Sequence, residues 1–157
     1  MSPTPRDWIL DTSILVHVLR GDPLGRHLVE QQQLRARPDV PLVSVVSIGE
    51  IMSLGRQWNW GSRKLDYMRE VLAELVVVDI NSEPVLSKYA EIDAWCRQNG
   101  VKPGKNDLWI AATAAASDAM LLTADRDFDA LDGVFITSRY FDPAASYSRT
   151  SEPGDGS

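Results

Sequence analysis

The chain is 157 residues long, 44% hydrophobic, and carries a formal charge of −6. That length suits one domain with a sizeable core, since a chain of about 150 residues buries roughly 70% of its unfolded surface, and no apolar run approaches the roughly 18 residues of a membrane span. The acidic balance argues against broad, salt-driven attachment to nucleic acid, and residues 1–7, which hold no apolar signal-peptide core, lead to the expectation of a cytoplasmic protein.

Strand-like and helix-like runs alternate along the chain, the signature of an α/β fold with a mainly parallel sheet. Trp8-Ile9-Leu10 is a short apolar strand ending at Asp11, and a helix follows over 13–20, stopped by Gly21-Asp22-Pro23. A polar helix is expected over 24–37. Residues 40–46 are β-branched and read as a strand with Pro41 near its start; after it Ile48, Ile51, Met52 and Gly55 recur at helical spacing. Trp58-Asn59-Trp60-Gly61 makes a turn, 62–75 a helix and 76–80 a strand. Ser82 caps a helix that reaches about Gln98 and ends at Gly100, with Val85, Tyr89, Ile92 and Cys96 on one face. Residues 101–105 form a Gly/Pro loop, and Asn106 caps an alanine-rich helix over 107–117. Strands at 120–123 and 134–137 complete the fold. From Pro143 onward Ser, Pro and Gly dominate, so the expected division is a domain over 1–142 and a disordered tail over 143–157.

Cys96 is the only cysteine, which excludes an internal disulfide and a thiolate zinc site. His17 and His27 are the only histidines, and a helix between them turns them to different faces, which disfavours a histidine metal site or a Ser-His-Asp triad. Hydrolytic chemistry must therefore rest on carboxylates, hydroxyls and a metal. Acids stand at the right places for it. Asp11 follows the first strand, Glu50 lies in the first turn of the helix after 40–46, Asp107 opens the alanine-rich helix, and Asp125 and Asp127 follow the strand ending at Thr123. In an open parallel sheet the crevice outside the strands' carboxyl ends collects such residues. Two carboxylates about 5 Å apart repel by roughly 3 kcal/mol at an effective dielectric near 20, so gathering them makes sense for a hard cation such as Mg²⁺ or Mn²⁺, which activates water and neutralises phosphodiester charge. Each acid alone also suits a cap or a turn. Glu50 points away from the Ile48/Ile51/Met52 face and alone reads as solvated surface, while Thr12, Ser13 and Thr123 also suit turns. Asp93 fits either a partner behind the acids or a solvated flank, and Trp58 and Trp60 fit packing better than base stacking.

Four local motifs carry a resemblance. Ile9-Leu10-Asp11-Thr12-Ser13 resembles the opening motif of PIN domains, and Ser47-Ile48-Gly49-Glu50 the second. Gly104-Lys105-Asn106-Asp107-Leu108-Trp109-Ile110-Ala111-Ala112-Thr113-Ala114 resembles the third, and Leu122-Thr123-Ala124-Asp125-Arg126-Asp127-Phe128 the fourth. Their order and spacing match from about Trp8 to Phe141, and the chain is similar to the VapC-type toxins of bacterial toxin–antitoxin pairs.

The resemblance implies a PIN-like three-layer α/β fold with a central, mainly parallel sheet of four or five strands flanked by helices. It implies a Mg²⁺- or Mn²⁺-dependent endoribonuclease with Asp11, Glu50, Asp107 and Asp125 as the acidic site, and Asp127 as a fifth acid or an outer ligand. In that arrangement Asp11 and Asp107 hold one metal, and Glu50 and Asp125 complete its shell directly or through water. Thr12, Ser13 and Thr123 orient acids or water, with Asn106 supporting. Lys105 and Arg126 are phosphate contacts or plain surface charges. The products would carry 5′-phosphate and 3′-hydroxyl ends. The resemblance further implies a homodimer, an RNA substrate, no membrane, and a small antitoxin that blocks the site. The acidic chain leads to the expectation of a basic antitoxin, with the helices over 13–37 and 62–75 as candidate docking surfaces and Trp58 and Trp60 as candidate anchors, since tryptophan is enriched in interface hot spots. Three alternatives remain: a PIN nuclease of RNA processing without a toxin role, a phospho-accepting receiver domain, and a pure binding protein, which would not need the acid cluster. The receiver is disfavoured because Asp79 lies inside its strand, residues 134–140 hold Arg139 but no lysine, and Glu50 would have no role.

Overall fold

The computed structural model describes residues 6–147. In chain order the elements are β1 (Trp8–Leu10), α1 (Thr12–Arg20), α2 (Pro23–Glu30), β2 (Leu42–Ser44), α3 (Val45–Gln57), α4 (Ser62–Ala73), β3 (Val76–Val78), α5 (Glu83–Asn99), α6 (Lys105–Ser117), β4 (Met120–Thr123) and β5 (Thr137–Tyr140). The five strands form one parallel sheet in the order β3-β2-β1-β4-β5.

Alternation along β1 sends Ile9 and Leu10 to opposite faces of the sheet, where each joins a separate apolar layer. Leu10 packs with Ile14, Leu15, Leu28, Ile51 and Met68 on the side of α1 to α4. Ile9 packs with Val85, Ile92, Cys96, Leu108 and Ile110 on the side of α5 and α6. The three-layer α/β expectation holds, as does the shared face of Val85, Ile92 and Cys96; Tyr89 stacks on Trp109 with ring centroids 3.9 Å apart.

Several boundaries differ from the sequence expectation, each for a local reason. The helix expected over 24–37 stops at Glu30, because Gln33 takes a left-handed conformation (φ 52°) that folds Leu34 back into the core. His17 and His27 lie on separate helices, α1 and α2, because Gly21 ends α1 at φ 60°. Val45 and Val46 belong to α3 rather than to a strand over 40–46, since the Ser44 hydroxyl accepts the Val46 N–H at 3.2 Å and starts the helix there. Glu50 consequently sits in the second turn, not the first. The buried face of α3 is Ser47, Ile51 and Gly55, while Met52 is exposed. Gly104 occupies the cap position of α6, and Asn106 lies inside the helix as an exposed residue. The last strand is Thr137–Tyr140: Gly133, at φ 78°, turns the preceding residues into a loop that leaves Val134 exposed and buries Ile136. Asp79 follows β3 instead of lying inside it, and its carboxylate accepts the Asn81 N–H at 3.0 Å.

Strand order also removes the receiver alternative. That fold runs 2-1-3-4-5, with strand 3 beside strand 1; here β3 is an edge strand and β1 lies between β2 and β4. Of the segment expected to be a tail, residues 148–157 lie outside the described residues. Tyr147 is described: its hydroxyl donates to the Asp142 carbonyl at 2.6 Å and its ring packs on His27 with centroids 4.5 Å apart. No helix among the described residues is long and apolar enough to cross a membrane.

Candidate active site

The direction of strand crossover reverses between β1 and β4, and the crevice at such a switch point opens outside the strands' carboxyl ends. Asp11 ends β1 there and caps α1, while Thr123 ends β4 beside it. Asp11 is buried, with 4% of its surface exposed. Three donors compensate: the Thr12 N–H gives to Oδ1 at 2.8 Å, and the Ser13 and Thr123 hydroxyls give to Oδ2 at 2.6 and 2.9 Å. Burial raises the Asp11 carboxyl above its usual range, the three hydrogen bonds pull against this, and the charge of Asp125 adds to the rise.

The hydroxyls tie the loops together. Ser13 Oγ accepts the Ala124 N–H at 3.0 Å, and Thr123 Oγ1 accepts the Asp125 N–H at 3.0 Å. Asp125 in turn caps the short 3-10 turn Arg126–Phe128, accepting the Asp127 N–H at 3.1 Å. On the other side Thr12 Oγ1 donates to Glu50 Oε1 at 2.9 Å, which fastens α3 to the start of α1. Thr12, Ser13 and Thr123 each donate a hydroxyl hydrogen bond to an acid of the crevice.

Asp107 stands in the first turn of α6. Its side chain folds back towards Gly104, where an added Cβ would meet Asp107 Oδ2 at 3.4 Å, an ordinary van der Waals contact. The Asp107 carboxyl is pushed up to about 7, first by burial and then by the charges of Asp11, Asp127, Asp125 and Glu50. All five expected acids therefore share one electrostatic neighbourhood. Asp127 is also raised, by loss of water and then by Asp125.

Among the described residues no three acidic side chains already meet in a metal-ligating cage. Asp11 spends both oxygens on hydrogen bonds, and bare carboxylates lower their energy by standing apart. The donor set is made of hard oxygen ligands in a negative field, which fits a divalent cation such as Mg²⁺.

The remaining expectations divide. Asn106 does not cap α6; it borders an open cleft of 560 Å³ along α3, opposite Glu50, Ser53 and Gln57. Neither Ser53 nor Gln57 was expected there, although both share the helical spacing of Glu50 at i+3 and i+7. Lys105 is exposed beside the acids, and Arg126 lies over the Tyr140 ring at 3.6 Å and within 3.6 Å of Asp129. Asp93 is paired with Arg97 at 3.1 Å on α5, as a solvated flank. Ser47, wholly buried on α3, has a hydroxyl with no hydrogen-bond partner.

Known proteins share this fold. Ribonuclease VapC5 of Mycobacterium tuberculosis is 33% identical over 138 residues, which cover 85% of this chain and 93% of that protein. The structure of VapBC-5 from Mycobacterium tuberculosis matches with a TM-score of 0.64 at 24% identity, over 87% of this chain and 98% of that one. DNA-bound VapBC from Salmonella typhimurium matches with a TM-score of 0.71 at 20% identity, over 85% of this chain and 98% of that one. The PIN domain family profile matches residues 8–134, a span that opens on β1 and takes in every acid of the crevice, and the chain belongs to the PIN-domain family.

Proposed function

We propose that this protein is a divalent-metal-dependent endoribonuclease and the toxin of a VapBC-type toxin–antitoxin pair. One observation carries the catalytic part: buried Asp11 at the carboxyl end of β1 is tied by hydroxyl hydrogen bonds to the Thr123–Asp125 loop, while Thr12 beside it holds Glu50, and the Asp107 carboxyl is raised to about 7 by burial and these acidic neighbours. Like charges that raise one another's carboxyls are costly to keep near one crevice, and a divalent cation would offset that cost. The 33% identical relative, a ribonuclease, supports RNA as substrate. The solved toxin–antitoxin complexes of the same fold support a partner protein.

In this reading Asp11, Asp107, Glu50 and Asp125 would hold Mg²⁺ or Mn²⁺, with Asp127 at its margin. The cation, when bound, supplies water activation and neutralises charge on the phosphodiester. Ser13, Thr123 and the Thr12 N–H keep the Asp11 carboxylate in one orientation. Thr12 does the same for Glu50. In this reading Lys105 and Arg126 would meet substrate phosphates, Arg126 once it leaves Asp129. Hydrolysis by water leaves 5′-phosphate and 3′-hydroxyl ends. The active form is a homodimer. A cleft of 690 Å³ between α3 and α4, lined by Met52, Trp60, Leu65, Met68 and Leu72, suits the apolar face of an antitoxin helix.

Cleavage should require Mg²⁺ or Mn²⁺, vanish with EDTA, and be lost in Asp11→Asn; sequencing RNA ends after expression of both proteins identifies the cut. Full activity in EDTA would sink the carboxylate–metal mechanism. Co-expression of the neighbouring small gene tests the partner: failure to co-purify or to restore growth removes the toxin role and leaves the nuclease standing.

A further inference from the structure

The corner where α3 turns into α4 is positive in a chain whose net charge is −6. The fifteen residues from Ile51 to Leu65 contain no Asp or Glu, yet hold Arg56, Arg63 and Lys64 together with Trp58 and Trp60. Arg20, the last residue of α1, joins them with its guanidinium 5.0 Å from the centre of the Trp58 ring. Among the described residues none of Arg20, Arg56, Arg63 and Lys64 has a carboxylate partner, whereas nearby Arg69 is paired with Asp66.

The two tryptophans differ. Trp60 is a packing residue: its ring lies 3.0 Å from where a Cβ on Gly55 would stand, and it is half-buried against the core. Trp58 caps the end of α3 with 44% of its surface exposed, touching Trp60 at 5.9 Å between ring centres.

This corner is joined to the acids by two parallel routes. Helices α1 and α3 both begin at the crevice, where Asp11 caps one and Thr12 holds Glu50 on the other, and they end at Arg20 and Trp58. Trp58 stands eight positions beyond Glu50, about 12 Å of helix. Between them Glu50, Ser53 and Gln57 line the open cleft that Asn106 borders.

We propose that Trp58, backed by Arg20, is a stacking platform for an unpaired RNA base, with the substrate strand running from it along the Glu50–Gln57 face of α3 to the acids. The proposal rests on the ribonuclease reading above and names the residues that position its substrate. Phosphates approaching five acids are repelled, so attraction has to come from elsewhere on the molecule. Four unpaired cations supply it at a distance, and stacking adds binding that requires no neutralisation of charge. A flat, half-exposed ring with a guanidinium at one face suits a base, because every base has a π-face and only unpaired ones offer it. Apolar protein side chains are better served by the separate cleft between α3 and α4.

The test uses the full chain carrying Asp11→Asn, which binds RNA without cutting it. The probe is a short fluorescein-labelled single-stranded RNA of mixed sequence, beside the same RNA annealed to its complement. The single strand should bind in preference to the duplex. Adding Trp58→Ala should weaken single-strand binding about tenfold, the scale of one base stack, while Trp58→Phe stays within about threefold. Arg20→Gln leaves the ring in place and should weaken binding several-fold, which guards against misfolding of the Trp58 variant. With Asp11 intact, Trp58→Ala should act on KM rather than kcat. Equal binding with and without the ring overturns the proposal, as does a loss shared equally by the duplex. Loss of a co-purifying protein partner with RNA binding intact also overturns it and makes Trp58 a protein contact. If the Asp11→Asn chain binds no RNA and the intact chain cuts none, the ribonuclease reading falls and the platform with it.

Discussion

Replacing Asp107 with Asn separates a metal ligand from a helix-capping residue. The Asp107 carboxyl stands at about 7 in the folded chain against an ordinary 3.8. Between pH 4 and pH 7 the folded chain therefore holds a proton that the unfolded chain releases. The ionised group works against folding: its cost is absent below about pH 4, accumulates up to about pH 7, and is constant above that. At 1.36 kcal/mol per unit the full shift is at most about 4 kcal/mol; Asp107 keeps part of its surface in water, so screening reduces this to roughly 1–2 kcal/mol. Against that, an acid in the first turn of α6 gains about 0.5 kcal/mol from the helix dipole, which Asn forgoes. The metal-free Asp107→Asn chain should thus be more stable than the parent by about 1 kcal/mol at pH 8, or roughly 2–4 °C in Tm for this size, and the gain should disappear towards pH 4. Thermal unfolding in EDTA across that pH range reads it directly, and saturating Mg²⁺ should reverse the order because the variant has lost a ligand. A variant less stable than the parent at pH 8 in EDTA, or a difference indifferent to pH, would show that Asp107 serves the helix and not a cation.

Three further substitutions probe the frame around the acids. Gly25→Ala should cost about 2–3 kcal/mol in urea unfolding, because its Cβ would stand 1.9 Å from the His17 carbonyl oxygen where α1 and α2 cross; an unchanged midpoint would mean the crossing is looser than described. Thr123→Val should remove one donor from Asp11 and leave the Asp125 N–H without its acceptor, costing about 1–3 kcal/mol and lowering Mg²⁺-dependent cleavage, whereas Thr123→Ser should keep both. A chain truncated after Asp142 should fold and cleave RNA with a Tm lower by a few degrees, since the Tyr147–His27 contact is worth about 1 kcal/mol; failure to fold would move the domain boundary beyond Tyr147.

Much of the site could be read from sequence because its acids stand where elements change type. Asp11 directly follows a three-residue apolar strand, Asp107 opens an alanine-rich helix, and Asp125 follows a strand ending at Thr123, so their places depend on local pattern alone. Glu50 was harder. Val45 and Val46 are good strand residues, and only the Ser44 cap and the packing of Val46 against the second layer draw them into a helix. The last strand misled for the converse reason: Val134-Phe135-Ile136 is the more apolar run, yet the backbone pairs with β4 through Thr137–Tyr140, while Ile136 is buried from a turn.

Sequence alone determined the α/β class, the alternation of strands and helices, and the kinds of side chain available for chemistry: carboxylates and hydroxyls, with one cysteine and two histidines. Tertiary structure decided which of them meet. Parallel pairing of β1 with β4 carries Thr123 to Asp11 across 112 positions, and the packing of α3 on α1 carries Glu50 to Thr12 across 38. It also decided that Trp60 is half-buried packing while Trp58, two residues away, keeps much of its surface in water. Local propensity has no term for such distances, because strand order and helix crossing are set by how two apolar layers close over one sheet.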